Sequence, residues 1–392
     1  MSFSQNRINE LVARLDAVCG DHLAYVSEWK ARTGGKAIGV LPMNFPLELI
    51  QAAGALPVVI QESDEPITDG RNLIYEYYCA YSKSITDQAA KRRYDVFDGI
   101  VAVDHCVALL GAFDAMRYAV PDLPIYLAQF PASMDEPASA RLVDQRLEEL
   151  RAEIETICGT VIEDEAIRSA IKLRNADRQA IRRLMAMRSR AEACIPARTM
   201  QIILQSSMIM DCAEHLEVLG ELESLYANAE APKLARVKLH LSGHFCHAPR
   251  PELLDMFEEC GATVIDDDLY TGYRFVSTDI SEQGDAFAAL RDWYFDRNVN
   301  APCSTRAQKT VDWETFLLEK LATSGAEGVI ILMAKFCEPH MLYYPELRKA
   351  FRAASIPYLL IETEHEGLAI EMLRSRVEAL IETIRQRRPV PA

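Results

Sequence analysis

The sequence lacks the short motifs that mark several common cofactor sites. It contains no Cys-x-x-Cys pair, so the spacing of its cysteines does not by itself define a metal site. It contains no Gly-x-x-x-x-Gly-Lys-Ser/Thr, because Lys30 stands where Gly35-Lys36 would need an upstream glycine. Since Gly-x-Gly-x-x-Gly is missing as well, a bound dinucleotide is not expected on this chain.

Long apolar runs and an excess of basic residues are absent too. No run approaches the length of a membrane span, and the first residues lack the apolar segment of a signal peptide. We therefore expect a cytoplasmic protein without membrane contacts, in which ten cysteines do not imply disulfides. The formal net charge of −16 disfavours nucleic acid as a partner, because a nucleic-acid interface needs a basic face.

Strands and helices alternate in both halves of the chain, which predicts parallel sheets covered by helices. The predicted strands are 37–41, 56–60, 99–103, 125–128, 237–243, 263–266, 328–333 and 358–361, and the predicted helices are 6–29, 46–53, 251–260, 284–295, 345–354 and 367–387. A chain of 392 residues with 49% hydrophobic residues can bury two or three cores. The predicted fold class is α/β, with two doubly wound parallel-sheet domains that are Rossmann-like or flavodoxin-like.

A segment of amphipathic helices separates the two halves, from about 136 to 229, with a break at Pro196. One broad stripe in it is mostly apolar and is interrupted by Asp211, which favours a packing face over a cofactor site. The stripe consists of Met200, Ile203, Leu204, Ser207, Met208, Asp211, Leu216 and Leu219. We predict an N-terminal α/β domain at 1–135, a helical segment at 136–232 and a C-terminal α/β domain at 233–392.

Three cysteines stand where α/β proteins place reactive groups. Cys106 and Cys337 each close an apolar run that predicts a buried strand, so both lie at the edge where open α/β sheets bind ligands. Cys79 precedes a predicted helix start, where backbone N–H groups and the helix dipole favour a thiolate. Two halves with cysteines on corresponding edges would form a cleft, and three thiolates converging there suggest a metal cluster partly shielded from water.

Buried apolar cysteine is the alternative interpretation, and for any single cysteine it is the more common case. Five cysteines fit it, because they fall in helical patterns with apolar neighbours: Cys19, Cys158, Cys194, Cys212 and Cys260. Cys246 and Cys303 lie in loops near the same predicted sheet edge and stay undecided.

Several segments together form a recognisable pattern along nearly the whole chain. They are Leu41-Pro-Met-Asn-Phe-Pro-Leu-Glu48, Cys79-Ala-Tyr-Ser-Lys-Ser84, Asp104-His-Cys106, Gly261 to Arg274, Lys335-Phe-Cys337-Glu-Pro339, Ile356 to Glu362 and Arg374-Ser-Arg376. In this combination the sequence resembles the 2-hydroxyacyl-CoA dehydratase and benzoyl-CoA reductase family. Its length and the aromatic-rich stretch at 75–81 most resemble the smaller cluster-bearing subunit of an ATP-dependent benzoyl-CoA reductase.

The resemblance implies that Cys79, Cys106 and Cys337 hold a [4Fe-4S] cluster. It further implies one-electron reduction of an aromatic acyl-CoA substrate in anaerobic aromatic degradation, a homologous cluster-bearing subunit and ATP-hydrolysing activator subunits. Three thiolates leave one iron open to a further ligand, and burial with few hydrogen bonds lowers the reduction potential. The CoA phosphates imply a local basic pocket, which the sequence does not locate.

Other functions stay open at this point. The chain could be a subunit of a 2-hydroxyacyl-CoA dehydratase, a related cluster-bearing electron-transfer reductase without a CoA substrate, or a non-catalytic scaffold. The ring reductase is favoured by tyrosines beside Cys79 whose rings could stack on a planar substrate, although tyrosine serves equally often as a core or interface residue. These tyrosines are Tyr75, Tyr77, Tyr78 and Tyr81.

Glu48 is the predicted catalytic acid. The resemblance implies a carboxylate in this segment near the acyl group, and burial there would raise its pKa. The alternative is a glutamate that complements the dipole at a helix start. His105 and His340 flank cluster cysteines and could donate to sulfur or substrate, although a histidine satisfied by backbone is more common. Cys337-x-x-His340 has a zinc-like spacing, but no second ligand pair accompanies it.

Overall fold

The computed structural model describes residues 3–41, 43–190, 195–228, 236–243, 247–365 and 369–388. Its strands are β1 (Ala37–Val40), β2 (Leu56–Val59), β3 (Gly99–Val103), β4 (Ile125–Ala128), β5 (Val237–Gly243), β6 (Ala262–Asp267), β7 (Gly328–Ala334) and β8 (Tyr358–Thr363). Its helices are α1 (Phe3–Gly20), α2 (His22–Thr33), α3 (Leu47–Ala52), α4 (Ala80–Ala90), α5 (Val107–Ala119), α6 (Ser139–Cys158), α7 (Asp164–Ser189), α8 (Ala197–Ser207), α9 (Cys212–Ala227), α10 (Pro251–Glu259), α11 (Tyr273–Val276), α12 (Ala286–Asn300), α13 (Trp313–Ser324), α14 (Glu338–Ala353) and α15 (Ile370–Arg387).

The strands form two four-stranded sheets with the same topology. The first has the order β2-β1-β3-β4 and the second the order β6-β5-β7-β8, and every pairing is parallel. In both sheets the strand order reverses between the first and the third strand, which is the place where such sheets bind ligands. The predicted α/β fold with two doubly wound parallel sheets is confirmed.

Burial of both faces explains why the strands are continuous apolar runs. On β7, Ile330 and Leu332 pack in a core with α10 and α15, whereas Val329 and Ile331 pack in a second core with α13 and α14. Successive side chains point to opposite faces of a strand, so a run without polar residues is required here.

The third strand of each sheet begins in the same way. An acidic residue and a glycine start both strands: Asp98 and Gly99 before β3, Glu327 and Gly328 before β7. A Cβ added at Gly99 would overlap Ile157 of α6, and one at Gly328 would overlap Ile384 of α15. The preceding carboxylates accept backbone N–H groups from the neighbouring strand at 2.8 and 2.9 Å. The two sheets therefore repeat one arrangement.

The predicted stripe from 200 to 219 is wrong as a single helical face. It spans two helices, α8 and α9, and Asp211 lies between them as the N-cap of α9. The Asp211 carboxylate accepts the N–H groups of Ala213 at 3.0 Å and Glu214 at 3.3 Å. A capping aspartate accepts hydrogen bonds from backbone N–H groups that a helix start leaves without partners. Asp211 therefore marks the boundary between two helices and does not interrupt the face of one.

Two predicted helix boundaries are also wrong. The helix expected over 6–29 is split at Asp21, which caps α2 through a 3.0 Å bond from Ala24 N–H. The helix expected to begin at Pro345 begins at Glu338, with Pro345 in its interior. Proline there forfeits one backbone hydrogen bond but does not prevent the helix from starting earlier.

Chain segments that follow β6 pack into the core of the first sheet. Val276, Ile280, Leu290, Trp293 and Tyr294 belong to the same hydrophobic cluster as β1–β4. The helix α12 therefore contacts α6 and α7, although it lies between β6 and β7 in sequence. Cys194, Cys246, the domain boundary at 232–233 and the predicted helix start at Gly367 lie outside the described residues. In the part of the chain that is described, no helix combines the length and apolar character needed to cross a bilayer.

His240 on β5 should make stability depend on pH. It is fully buried, with Nε2 3.3 Å from Asp268 Oδ1 and Nδ1 3.6 Å from Asp266 Oδ2. Burial lowers its pKa, but the two carboxylates outweigh burial and raise the pKa to about 9. The charged imidazole therefore stabilises the fold below pH 6.5, and this contribution is lost as pH rises through 9.

The free energy of unfolding, measured by urea denaturation, should accordingly fall by about 2–3 kcal/mol between those two pH values. A His240→Gln variant should show a flatter dependence in the same window. An equally steep dependence in that variant would assign the effect to other groups.

Candidate functional site

The three cysteines predicted to bind a cluster share one local geometry. Cys79, Cys106 and Cys337 are the residues immediately before α4, α5 and α14, and no side chain caps any of these helices. Cys106 and Cys337 occupy equivalent positions, because each follows the third strand of its sheet by the same short connection. The predicted strand-end and helix-start positions are thus found together at two of the three cysteines.

Burial raises the pKa of each thiol, and backbone N–H groups close to each sulfur in the first helical turn offset part of that rise. They belong to Ser82 for Cys79, Ala108 and Leu109 for Cys106, and His340 for Cys337. The Ser82 hydroxyl also lies 3.4 Å from the Cys79 sulfur. Three helix starts therefore direct partial positive charge at the sulfurs, which favours an anionic group among them.

The three thiols come from both halves of the chain, yet Cys79 is close enough for its charge to add to the effect of burial on the pKa of Cys106 and Cys337. Burial raises the pKa of Cys106 to about 12, reinforced by the charges of Cys79 and Cys303. Burial also raises the pKa of Cys337, followed by the charges of Cys79, Cys106 and Cys303. The structure therefore brings Cys79, Cys106 and Cys337 to one place, together with Cys303.

Phe336, which precedes Cys337, has an unfavourable backbone conformation. Its φ of 65° is left-handed, which costs a residue other than glycine about 1–2 kcal/mol. The turn directs Cys337 to the start of α14 and sets the Phe336 ring edge-on to Tyr77, with 5.7 Å between the centroids. A strained residue joining the two cysteine segments is typical of a functional site.

A single metal ion and a metal cluster place different requirements on the described side chains. Within the described ranges, no group of three His, Cys, Asp or Glu side chains could hold one ion. The zinc-like pair Cys337 and His340 therefore has no matching ligands, and His340 is buried against Trp313 with 5.0 Å between the ring centroids. In a cluster several metal atoms lie between the thiolates, so the sulfurs stand farther apart. Burial is the main cause of the raised pKa values, and charges of neighbouring cysteines add to it for Cys106 and Cys337; iron cations would stabilise the thiolate forms against both effects.

A cavity of about 400 Å³ opens between the two halves, and none of the three predicted cluster cysteines lines it. Its partly buried Glu62 lies 2.5 Å from His365 Nδ1 and 3.1 Å from His247 Nδ1. Burial opposes ionisation of Glu62, but His247, His365 and Arg250 outweigh it and lower the pKa. Burial raises the pKa of Cys79, and the charge of Glu62 adds to that rise. A carboxylate and imidazoles next to a thiol site can exchange protons with groups in the cavity.

This cavity is not the basic pocket expected for CoA phosphates. Arg93, Arg198 and Arg250 line it, but carboxylates outnumber them among the lining residues. Arg198 lies 3.1 Å from Asp255, and Arg93 lies 3.5 Å from Glu65. Arginines already engaged by carboxylates are poorly placed to bind phosphate.

The sequence also matches a known protein family over most of its length. Residues 42–384 match the family described as 2-hydroxyglutaryl-CoA dehydratase, D-component. The chain belongs to this D-component family.

Curated relatives of the D-component chain include both reductase and dehydratase subunits. One of the subunits of benzoyl-CoA reductase from Thauera aromatica is 24% identical over 96% of this chain and 98% of its own. The (R)-phenyllactyl-CoA dehydratase beta subunit of Clostridium sporogenes is 24% identical over 92% and 95%. The beta subunit of (R)-2-hydroxyglutaryl-CoA dehydratase from Acidaminococcus fermentans is 25% identical over 96% and 100%. Identity alone therefore does not separate the two activities.

Glu48 is one member of a buried ion pair. It is fully buried, accepts a hydrogen bond from Arg178 and shares a small cavity with Arg174 and Arg297. The predicted role of Glu48 as a catalytic acid stays a prediction. Glu62, which the sequence did not single out, is the carboxylate whose charge reaches Cys79.

The tyrosines beside Cys79 divide into three kinds. Tyr81 is a core residue whose hydroxyl donates to a backbone carbonyl at 2.7 Å. Tyr78 packs over Gly111, where an added Cβ would overlap its ring. Tyr75 and Tyr77 are 79% and 76% exposed, so they are available to a partner or ligand outside this chain.

Of the other cysteines among the described residues, Cys303 lies near the site, whereas Cys158, Cys212, Cys19 and Cys260 lie in or directly after helices elsewhere. Cys158 lies at the opposite edge of the first sheet, where Lys36, just before β1, donates to the Ile157 carbonyl at 2.6 Å. Cys212 is buried, and Cys19 and Cys260 are partly buried in helical surroundings, as expected. Sequence reasoning left Cys303 undecided, and only the packing of its loop against β3 reveals where it lies.

Proposed function

We propose that this chain is the iron–sulfur subunit of a low-potential, ATP-dependent reductase of the benzoyl-CoA reductase type. The observation that carries the proposal is the convergence of Cys79, Cys106 and Cys337 from two sheets, each at a helix start. When bound, a [4Fe-4S] cluster would supply one-electron chemistry at this position. The chain itself would hold the cluster, shield it from water on the side of the two cores and offer backbone N–H groups to its sulfurs.

The first test of the proposal is analytical. The chain, purified under anaerobic conditions, should contain iron and acid-labile sulfide. Alone it should neither hydrolyse ATP nor reduce an aromatic acyl-CoA, because it carries no nucleotide-binding motif. Turnover by the isolated chain with a mild reductant would contradict the proposal.

A homologous cluster-bearing subunit is the proposed partner, and exposed apolar side chains around the cysteines support this. Leu342 on α14 is 81% exposed, Val107 on α5 is 70% exposed, and Tyr75 and Tyr77 precede Cys79. Exposed apolar groups gathered around one site are typical of a protein interface. The reductase and dehydratase relatives are themselves subunits of larger enzymes.

Leu342→Asp should therefore weaken subunit assembly. A charge at the centre of an apolar interface costs about 2 kcal/mol or more, which is a loss of affinity of roughly thirtyfold. Val161→Asp is the matched control, since Val161 is 67% exposed but follows α6 at the opposite edge of the first sheet. Affinity for the co-expressed partner, measured by anaerobic analytical ultracentrifugation, should fall only for Leu342→Asp. Equal affinities for the two variants would place the interface elsewhere.

The second candidate function is a 2-hydroxyacyl-CoA dehydratase subunit, favoured by the equally similar dehydratase relatives. A dehydratase recovers its electron at the end of each cycle and needs ATP only to start. A ring reductase consumes its electrons in product and must be recharged at every turnover. In the reconstituted complex, ATP hydrolysed should scale with aromatic acyl-CoA converted. If the ratio of ATP hydrolysed to acyl-CoA converted falls toward zero over many turnovers, the chain would instead be assigned to a 2-hydroxyacyl-CoA dehydratase.

A further inference from the structure

The two halves of the chain repeat one arrangement of cysteines. Cys106 follows the third strand of the first sheet, and Cys337 follows the third strand of the second. Cys79 lies on the crossover from the second strand to the third, between β2 and β3. The same crossover in the second half, between β6 and β7, carries Cys303.

The loop that carries Cys303 is held against the segment that carries Cys106. Arg306 donates to the Asp104 carbonyl at 2.8 Å, and its Nε donates to the Tyr294 hydroxyl at 2.6 Å. The N–H of Cys303 donates to Asn298 Oδ1 at 3.1 Å. These bonds fix the backbone on both sides of the cysteine.

On the other side of this loop, Arg274 anchors the residues before Cys303. Its guanidinium is buried and donates to the carbonyl of Ala301 at 3.0 Å and to that of Pro302. The same guanidinium is paired with Asp268 at 2.7 Å. The loop is thus tied both to the second sheet and to the end of β3.

The sulfur of Cys303 lies close to the segment that carries Cys106. It lies 3.0 Å from the hydroxyl of Thr305, which lies 3.3 Å from Nδ1 of His105. His105 is the residue next to Cys106. The Thr305 hydroxyl thus bridges the Cys303 sulfur to the residue that precedes Cys106.

We propose that Cys303 supplies a fourth thiolate to the cluster held by Cys79, Cys106 and Cys337, so that each half of the chain contributes two ligands. This rests on the function proposed above. On binding, the Cys303 S–H bond breaks, an S–Fe bond forms and the proton passes to solvent, with no change in oxidation state. Four cysteine thiolates are the usual ligand set of a [4Fe-4S] cluster. A chain that closes its own cluster in this way passes electrons and leaves substrate binding to its partner.

The first experiment uses the wild-type chain, with and without its cluster. Iodoacetamide labelling followed by peptide mass spectrometry should find Cys303 alkylated about tenfold more slowly when the cluster is present, because a metal-bound thiolate is no longer a free nucleophile. Cys158, at the opposite edge of the first sheet, should be labelled at the same rate in both states. Equal rates for Cys303 in the two states would overturn the proposal.

The second experiment separates ligation from mere shielding. Cys303→Ser should keep its iron but change the electron paramagnetic resonance spectrum of the reduced cluster, because an oxygen ligand replaces sulfur at one iron. Cys158→Ser should leave that spectrum unchanged. An unchanged spectrum in Cys303→Ser would overturn the fourth ligand while leaving the three-cysteine function intact. Failure of the wild-type chain to bind iron at all would overturn both.

Discussion

Replacing Cys106 with alanine is expected to abolish iron binding and the broad absorption near ~400 nm of a thiolate-bound cluster. Cys106 stands at the strand reversal of the first sheet, and its neighbours Cys79 and Cys337 come from different segments. Each of the three lies immediately before a helix, so removing one leaves a helix start at the site without its sulfur ligand. Cys79→Ala and Cys337→Ala are expected to give the same result.

Cys158→Ala is the matched control for Cys106→Ala. Both cysteines are partly buried, but Cys158 lies at the opposite edge of the same sheet. Iron and sulfide content, measured after anaerobic purification, should match wild type in Cys158→Ala. Wild-type iron content in Cys106→Ala would remove Cys106 from the ligand set and with it the main support for the proposed function.

Arg178→Met is expected to destabilise the fold by about 3–5 kcal/mol, because it leaves the Glu48 carboxylate buried without its partner. Glu48 is fully buried and Arg178 nearly so. Arg178 also donates to Asn175 at 2.9 Å, and Asn175 donates to the Ile280 carbonyl at 2.7 Å. The pair therefore joins α3 and α7 to the segment after β6.

The double variant Glu48→Leu with Arg178→Met should recover most of this loss, since apolar side chains of similar size often replace a buried pair without a penalty. The free energies of unfolding of Glu48→Leu, Arg178→Met and the double variant, measured by urea denaturation, form a double-mutant cycle with the wild type. A double variant as unstable as Arg178→Met would mean that the arginine acts through Asn175 rather than through Glu48.

The same positions test the predicted role of Glu48 in proton exchange. If Glu48 acts only through packing and charge, Glu48→Gln and Arg178→Met should both lose stability and keep wild-type turnover per folded complex. If it exchanges protons with substrate, only Glu48→Gln should lose turnover.

The strands were predictable because each is a short apolar run buried on both faces. The bounds of β3 and β5 agree with the runs 99–103 and 237–243. Cys106 and Cys337 could be placed at sheet edges for the same reason, since the end of such a run fixes the position of the next residue in an open α/β sheet. Family resemblance supplied the role that position alone did not.

Sequence patterns could not predict helix capping or the packing of residues far apart in sequence. Asp211 interrupts an apolar stripe equally well as a surface residue or as a cap, and only the backbone geometry distinguishes the two cases. Glu62 and Cys303 carry no local pattern at all. Glu62 lines the cavity between the halves, and Cys303 lies on a loop that Arg306 anchors. Both positions depend on contacts between residues far apart in sequence.

The path of the chain through α12 has a mechanical consequence. The chain leaves the first sheet for β5 and β6, returns to the first core at 276–294, and crosses again to α13 and β7. Separating the halves would pull Leu290, Trp293 and Tyr294 out of that core, at about 1.5–3 kcal/mol for each large apolar side chain. Within the described residues, the two halves are therefore joined through a shared core as well as along the chain. For the function proposed above, such a joint would limit rearrangement to side chains and short loops and keep the reorganisation energy of electron transfer small.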